Sequence, residues 1–283
     1  MAPVLRDLPI GIMQGRLLPP INGRIQCFPA DRWRDEFPLA QQAGLQLIEW
    51  IYEIYGAEQN PLSTDQGIAE LKELSVKHGI AVRSLCADYF MDRPLLVDPQ
   101  AGMEKLSWLL GRCHLAGIRR VIMPFVDASR LLDADREDSL IDLLRPFAPE
   151  AECLGIELHL ETDLAPARFA NLIARLPKAV FKVNYDSGNS ASHGYNVTEE
   201  FAAYGDRIGS LHIKDRVRGG STVALGTGNA DFSALRTALH SIGYDDDVIL
   251  QVAREREENE LAWISLVRES VEKMLFQSLE EVP

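Results

Sequence analysis

Residues 63–86 read STDQGIAELKELSVKHGIAVRSLC. Ser63 and Thr64 are hydroxyl caps, an amphipathic run follows, and Gly79 closes it before the short apolar segment "IAVRSLC". A helix that starts on a cap, stops on a glycine and runs straight into a strand is the helical half of a βα repeat. The same grammar recurs outward in both directions. "LAQQAGL" (39–45), "AECLGI" (151–156) and "LHSIGY" (239–244) are helix ends whose glycine feeds a strand, and 98–117 starts at Asp98-Pro99 and closes at Gly117.

Eight strands are expected: 8–13 (LPIGIM), 45–50 (LQLIEW), 80–86 (IAVRSLC), 118–125 (IRRVIMPF), 155–161 (GIELHLE), 179–186 (AVFKVNYD), 208–214 (IGSLHIK) and 247–253 (DVILQVA). Strand and helix alternate with no antiparallel hairpin signal, so the sheet is expected to be parallel. Eight such units without a linker or composition shift favour one α/β domain over 1–283, a closed (β/α)8 TIM barrel, over an open doubly wound sheet. The last helix is expected over 257–280, with 278–283 a frayed tail.

A chain of 283 residues with 46% hydrophobic and 25% charged residues can bury a large core. Its net charge of −13 opposes nonspecific binding to nucleic acid or an anionic membrane. Cys27, Cys86, Cys113 and Cys153 form no CxxC pair and read as reduced core thiols. The start "MAPVLRDLPIGIM" lacks the apolar core of a signal peptide, and no apolar run reaches the roughly 18 residues a membrane span needs; a cytoplasmic location is expected. The glycines of "RGGSTVALGTG" (218–228) follow no dinucleotide or P-loop pattern.

In a closed barrel the reacting groups sit at the carboxyl ends of the strands. Those ends carry Glu161, Asp186, His212 with Lys214 two residues on, and Gln251. Two carboxylates, an imidazole and an amide oxygen suit a hard or borderline divalent ion with open positions: Mn²⁺ first, then Mg²⁺, Co²⁺ or Zn²⁺. Each residue also has a plainer role. His212 could be a hydrogen-bonded core histidine, Asp186 the acceptor of an Asx-turn at "DSGN", Glu161 a helix cap, and Gln251 a hydrogen-bonding neighbour without metal contact. Glu157 and His159 are expected lower in the barrel, paired with neighbours. Trp50, Tyr52 and Tyr89 read equally as packing or as sugar-stacking platforms.

The order Glu161 in "HLET", Asp186 in "NYDSGN", His212 in "LHIKD" and a polar residue on the last strand resembles the xylose isomerase-like barrel superfamily of sugar and sugar-phosphate isomerases and epimerases. The segment "ALGTGNADFSALRTALHSIGYDDDVIL" (224–250), with its G-x-G-x-x-D-F pattern, strengthens the resemblance, which extends from "GIMQGR" to the last strand. It implies metal ligands in the order Glu, Asp, His, Glu, the two glutamates also serving as bases. Glu161, Asp186 and His212 match, whereas Gln251 departs: it can bind a cation through its carbonyl oxygen but cannot accept a proton near neutral pH.

The resulting expectation is a metal-dependent isomerase or epimerase of a sugar or sugar phosphate, working through a metal-stabilised enediolate with Glu161 as base. Lys214, Glu49, His193 and Asp88 are candidates for a second acid/base, and Asn189, Glu49 and His193 for substrate contacts. Arg16, Arg254 and the loop 216–222 could supply an anion site. A dehydratase of a keto-polyol or 3-oxo-sugar is the close rival, and a non-catalytic binding barrel the rival of another class. The apurinic endonuclease that shares the architecture uses more histidines than this acidic chain offers. Partners are expected to be small carbohydrates, not nucleic acid or membrane, and the oligomeric state stays open to pairing of barrels.

Overall fold

The computed structural model describes residues 8–254 and 259–276. Eight parallel strands, β1 (Ile10–Met13), β2 (Leu47–Ile51), β3 (Ser84–Cys86), β4 (Arg120–Phe125), β5 (Glu157–Thr162), β6 (Phe181–Asp186), β7 (Ile208–Ile213) and β10 (Val248–Leu250), close into a barrel. Their order around the barrel is β1-β10-β7-β6-β5-β4-β3-β2, so sequential barrel strands are neighbours and β10 returns to β1. The expected α/β TIM barrel is therefore present. The strands are mostly shorter than the apolar runs that announced them, because the ladder covers only part of each run.

Thr64 and Asp98 cap as expected, whereas the Ser63 hydroxyl donates to Ala57 O instead. Thr64 Oγ1 accepts from the Gly67 amide at 3.0 Å to open the helix Asp65–His78, and Gly79 ends it at φ 66°. Asp98 accepts from the Ala101 amide to open Pro99–Ala116, and Gly117 closes that helix at φ 83°. A residue with a Cβ would be strained at either stop. The last helix runs Glu260–Leu275, and the expected frayed tail lies outside the described residues.

Trp33, Phe37 and Trp50 are fully buried and meet edge-to-face or tilted, Trp33 and Trp50 at 5.6 Å between ring centres. Each such side chain contributes about 1.5–3 kcal/mol of burial energy. Trp50 is thus packing against the helical shell, and the Tyr52 and Tyr89 rings meet at a tilt of 38°, 5.9 Å between centres, with Lys105 over both.

Two expectations are corrected. A short antiparallel ribbon, β8 (Asp215–Arg216) with β9 (Thr222–Val223), leaves the barrel after β7. Its two-residue strands flank a Gly219-Gly220 turn and are too short to show alternation. Cys153 is exposed, unlike the buried Cys27, Cys86 and Cys113; all four are free thiols.

Candidate active site

The strand alternation sends Glu157, His159 and Glu161 to one face of β5, Asn184 and Asp186 to one face of β6, and Ser210 and His212 to one face of β7. They meet in a continuous polar column. Glu157 Oε2 faces His159 Nε2 at 2.9 Å, His159 Nδ1 faces Ser210 Oγ at 2.7 Å, and Ser210 donates to Asn184 Oδ1 at 2.6 Å. Asn184 Nδ2 then donates to Glu161 Oε2 at 2.7 Å. Gly209 makes room for this column, since a Cβ there would lie 2.7 Å from His159 Cε1. As expected, Glu157 and His159 sit low and pair with each other.

At the top of the column, ligand atoms of Glu161, Asp186 and His212 all lie within 4.8 Å of one another, and all three residues are buried. Asp186 Oδ1 accepts from the Gly188 and Asn189 amides at 2.9 and 2.8 Å, so the Asx-turn is real. Its Oδ2 is left facing the cluster. The Asx-turn thus uses one carboxylate oxygen and leaves the other on the side of Glu161 and His212. His212 Nε2 faces Glu49 Oε1 at 2.7 Å, which leaves Nδ1 directed at the cluster, 3.4 Å from Glu161 Oε2. A carboxylate behind a ligating imidazole fixes its tautomer and raises its basicity. Glu49, fully buried, thus stands behind His212 rather than at the mouth.

Glu161 also accepts from Asn189 Nδ2 at 2.6 Å. Burial opposes its charge, but the His212 hydrogen bond and charge, with Lys214 and Asn184, hold its carboxyl below the usual carboxylate range. For His212, burial works against the proton, but Glu49 and Glu161 together push its pKa up to about 10 in the metal-free protein.

Gln251 follows β10, and its amide donates to Ile213 O at 3.0 Å, which fixes its height at the mouth. Its Nε2 donates to Gln26 Oε1 at 2.9 Å, and Gln26 Nε2 donates to Asp88 Oδ2 at 2.8 Å. That amide chain turns Gln251 Oε1 toward the cluster, where Lys214 Nζ sits 2.6 Å from it and 2.7 Å from Asp186 Oδ2. Gln26 was invisible in the sequence because it lies in an irregular segment 225 residues away.

A cavity of about 300 Å³ opens above, lined among others by Glu161, Lys214, Gln251, Asn189, Asp88 and Arg216. Arg16 is buried and donates to Val252 O and Gln26. Arg254 spreads over the carbonyls of Ile25, Leu18 and Gly15 and pairs with Glu260. Both guanidiniums tie loops together. His193 stacks on Tyr195 at 5.4 Å and lines a separate small recess beside Glu161. The amides of Gly219 and Gly220 donate to Ser192 O and Val217 O, so the turn expected as an anion cradle has its donors engaged.

The glycine-flanked motif has its own physical reason. Asp215, fully buried, accepts from the amides of Gly226, Gly228 and Ala230 at 2.8–3.0 Å. A Cβ at Gly228 would collide with Asp215 Oδ1 at 2.2 Å. Asp231 of the same motif caps the helix Phe232–Ile242 through the Ala234 amide. The motif pins the loop beyond β7 and so steadies Lys214 next to Asp215.

The sequence profile of the xylose isomerase-like TIM barrel family matches residues 37–275. The chain belongs to that family. Among relatives of this xylose isomerase-like barrel, a probable L-ribulose-5-phosphate 3-epimerase of Mycoplasma pneumoniae is 27% identical over 220 residues, 74% of this chain and 72% of the relative. The fold of the IOLI protein, solved with a bound zinc atom, superposes with a TM-score of 0.75 at 19% identity, covering 96% of this chain and all of that one. D-psicose 3-epimerase from Clostridium cellulolyticum H10, solved with D-tagatose, gives 0.75 at 15% identity over 95% of this chain and all of that one.

Proposed function

We propose that this xylose isomerase-like barrel is a metal-dependent isomerase or epimerase of a small carbohydrate, moving a proton on a carbon next to a carbonyl. The observation that carries the reading is the convergence of Glu161, Asp186 and His212 within 4.8 Å at the carboxyl ends of three adjacent strands. The donors fit a divalent ion. Among the described residues, Asp186 Oδ2 accepts from no amide or hydroxyl and meets only the Lys214 ammonium, 2.7 Å away, and Glu49 holds His212 with Nδ1 inward. Gln251 Oε1 is a neutral fourth donor on the same side. A divalent ion held by Glu161, Asp186, His212 and Gln251, Mn²⁺ in the first place, would polarise the carbonyl and offset charge on the enediolate oxygens.

The chain supplies the rest. Glu161, kept ionised by its partners, takes the proton from the carbon, exchanges it with water of the open cavity and delivers one to the neighbouring carbon, which is isomerisation with one base. Asn184 and Asn189 each hold one carboxylate oxygen and so set the direction of its free lone pairs. Lys214 Nζ donates to the carbonyl oxygen as the enediol forms and recovers a proton from the neighbouring hydroxyl as the new carbonyl forms, so its charge is restored. Gln251 cannot perform the second transfer of an epimerase, so this position favours the one-base reaction.

The test is proton exchange. With Mn²⁺-loaded protein in D₂O, a panel of ketoses should gain one solvent deuterium at carbon, and Glu161→Gln should abolish the exchange while retaining the fold. Water loss in the product instead would establish the dehydratase. Exchange absent from every substrate, with ligand binding intact, would leave the non-catalytic barrel.

A further inference from the structure

We infer that the substrate is an unphosphorylated polyhydroxy carbonyl compound, a neutral sugar or cyclitol, and that the cavity rejects phosphate esters. This rests on the proposed sugar chemistry and narrows its substrate class.

The cavity wall decides it. Away from the Glu161 cluster, four carboxylates line the space against two cations, Arg24 and Arg216; Glu53 is engaged by Arg24 and the Phe28 amide and Asp88 by Gln26 and Cys86, which leaves Asp92 and Asp127 as the acids open to a ligand. Arg24 is ion-paired to Glu53 and lies 4.4 Å over the Tyr55 ring. Arg216 turns three of its N–H groups to Gly220 O and Asn189 Oδ1 at 2.8–3.0 Å. The third cation of the wall, Lys214, is held between Asp186 and Gln251.

A phosphate monoester near neutral pH carries close to two negative charges and presents only acceptor oxygens. Ionised carboxylates are acceptors only as well, so the two repel and cannot hydrogen-bond. Sugar hydroxyls donate, and the same carboxylates are then good partners. The other sources of anion binding at the mouth are committed elsewhere: Arg16 and Arg254 to backbone carbonyls, the Gly219 and Gly220 amides to Ser192 and Val217.

Asp127 adds a second observation. It is a non-glycine residue at φ 50°, one of two among the described residues, and it stands at the rim. Aspartate is one of the few residues that adopts this left-handed conformation readily, so the turn sets an acid at the rim.

The experiment pairs each sugar with its own ester. Binding of D-fructose and D-fructose 6-phosphate, and of a cyclic inosose and its phosphate, is measured by calorimetry on Mn²⁺-loaded protein, with kcat/KM for whichever is turned over. The neutral member should bind at least about tenfold more tightly, and inorganic phosphate should not raise the melting temperature. Asp92→Asn with Asp127→Asn should shrink the ratio several-fold by improving the ester alone; asparagine tolerates the backbone of Asp127. Equal or tighter binding of the esters would overturn this inference and leave the isomerase reading standing. No binding or turnover of either member would overturn the isomerase reading and this inference with it.

Discussion

His212 and Glu49 are joined across the barrel interior, Nε2 to Oε1 at 2.7 Å, with both side chains fully buried. The pair decides which imidazole nitrogen looks at the cluster. Glu49→Gln keeps an acceptor at Oε1 but removes the charge, and should weaken Mn²⁺ binding about 10–100-fold. Titration of metal-free protein with Mn²⁺ at constant pH checks it; unchanged affinity would remove Glu49 from the metal site.

Metal binding should itself release a proton. Because Glu49 and Glu161 raise the metal-free His212 pKa to about 10, binding at pH 7 must displace the proton from Nδ1. Affinity should rise about tenfold per pH unit between pH 7 and 9 and level off near pH 10. Calorimetry in buffers of different ionisation enthalpy counts the proton, and His212→Ala should abolish both release and binding.

The ammonium of Lys214 lies between two oxygens of the proposed ligand set, Asp186 Oδ2 and Gln251 Oε1. A divalent ion and this cation therefore compete for the same oxygens. Lys214→Met should tighten Mn²⁺ binding about tenfold while lowering turnover, and Gln251→Glu should tighten it as well by adding an anionic ligand. Metal affinity and kcat moving in opposite directions in Lys214→Met is the diagnostic result.

Far from the cluster, Glu36 opens the helix Glu36–Gln42, is completely buried and accepts from the Gly15 amide at 2.5 Å. Burial pushes its pKa up from 4.5 to about 8, with the Gly15 and Gln14 hydrogen bonds only partly opposing it. The folded protein thus holds a proton that the unfolded chain has lost, so stability falls as pH rises from about 4.5 to about 8 and is flat beyond. Glu36→Gln, which keeps the acceptor, should remove that slope and raise the melting temperature by ~2 °C or more at pH 8.5, with little change at pH 4.5.

Loss of the Asn189 side chain should act on Glu161 through the carboxylate it holds. Its amide donates to Glu161 Oε1 and is itself held by Arg216. Asn189→Ala removes a donor that favours the ionised carboxylate, so the acid limb of kcat should move to higher pH by about one unit, with metal content unchanged. Arg216→Met should show the same shift in weaker form.

Periodicity and caps made the barrel legible. Helix stops such as Gly79 and Gly117 and apolar runs of strand length are local signals, and eight repeats of them admit few closed architectures. Glu161, Asp186 and His212 could be singled out because strand ends in a barrel converge and side chains alternate. Strand position did not reveal what each side chain touches. Glu49 reads as a mouth residue in the sequence, yet the inward pleat of β2 carries it under His212. Arg254 and Arg16 read as anion binders, yet carbonyls 225 to 240 positions away consume them. Gln26 orients Gln251 from the other end of the chain, and Asp215 anchors a loop through backbone amides that no side-chain pattern encodes. Fold and ligand types follow from local spacing because period and chirality are local properties. Partners, charge balance and the Lys214 contact with Asp186 and Gln251 were decided only by tertiary structure, because they depend on distances between residues remote in sequence.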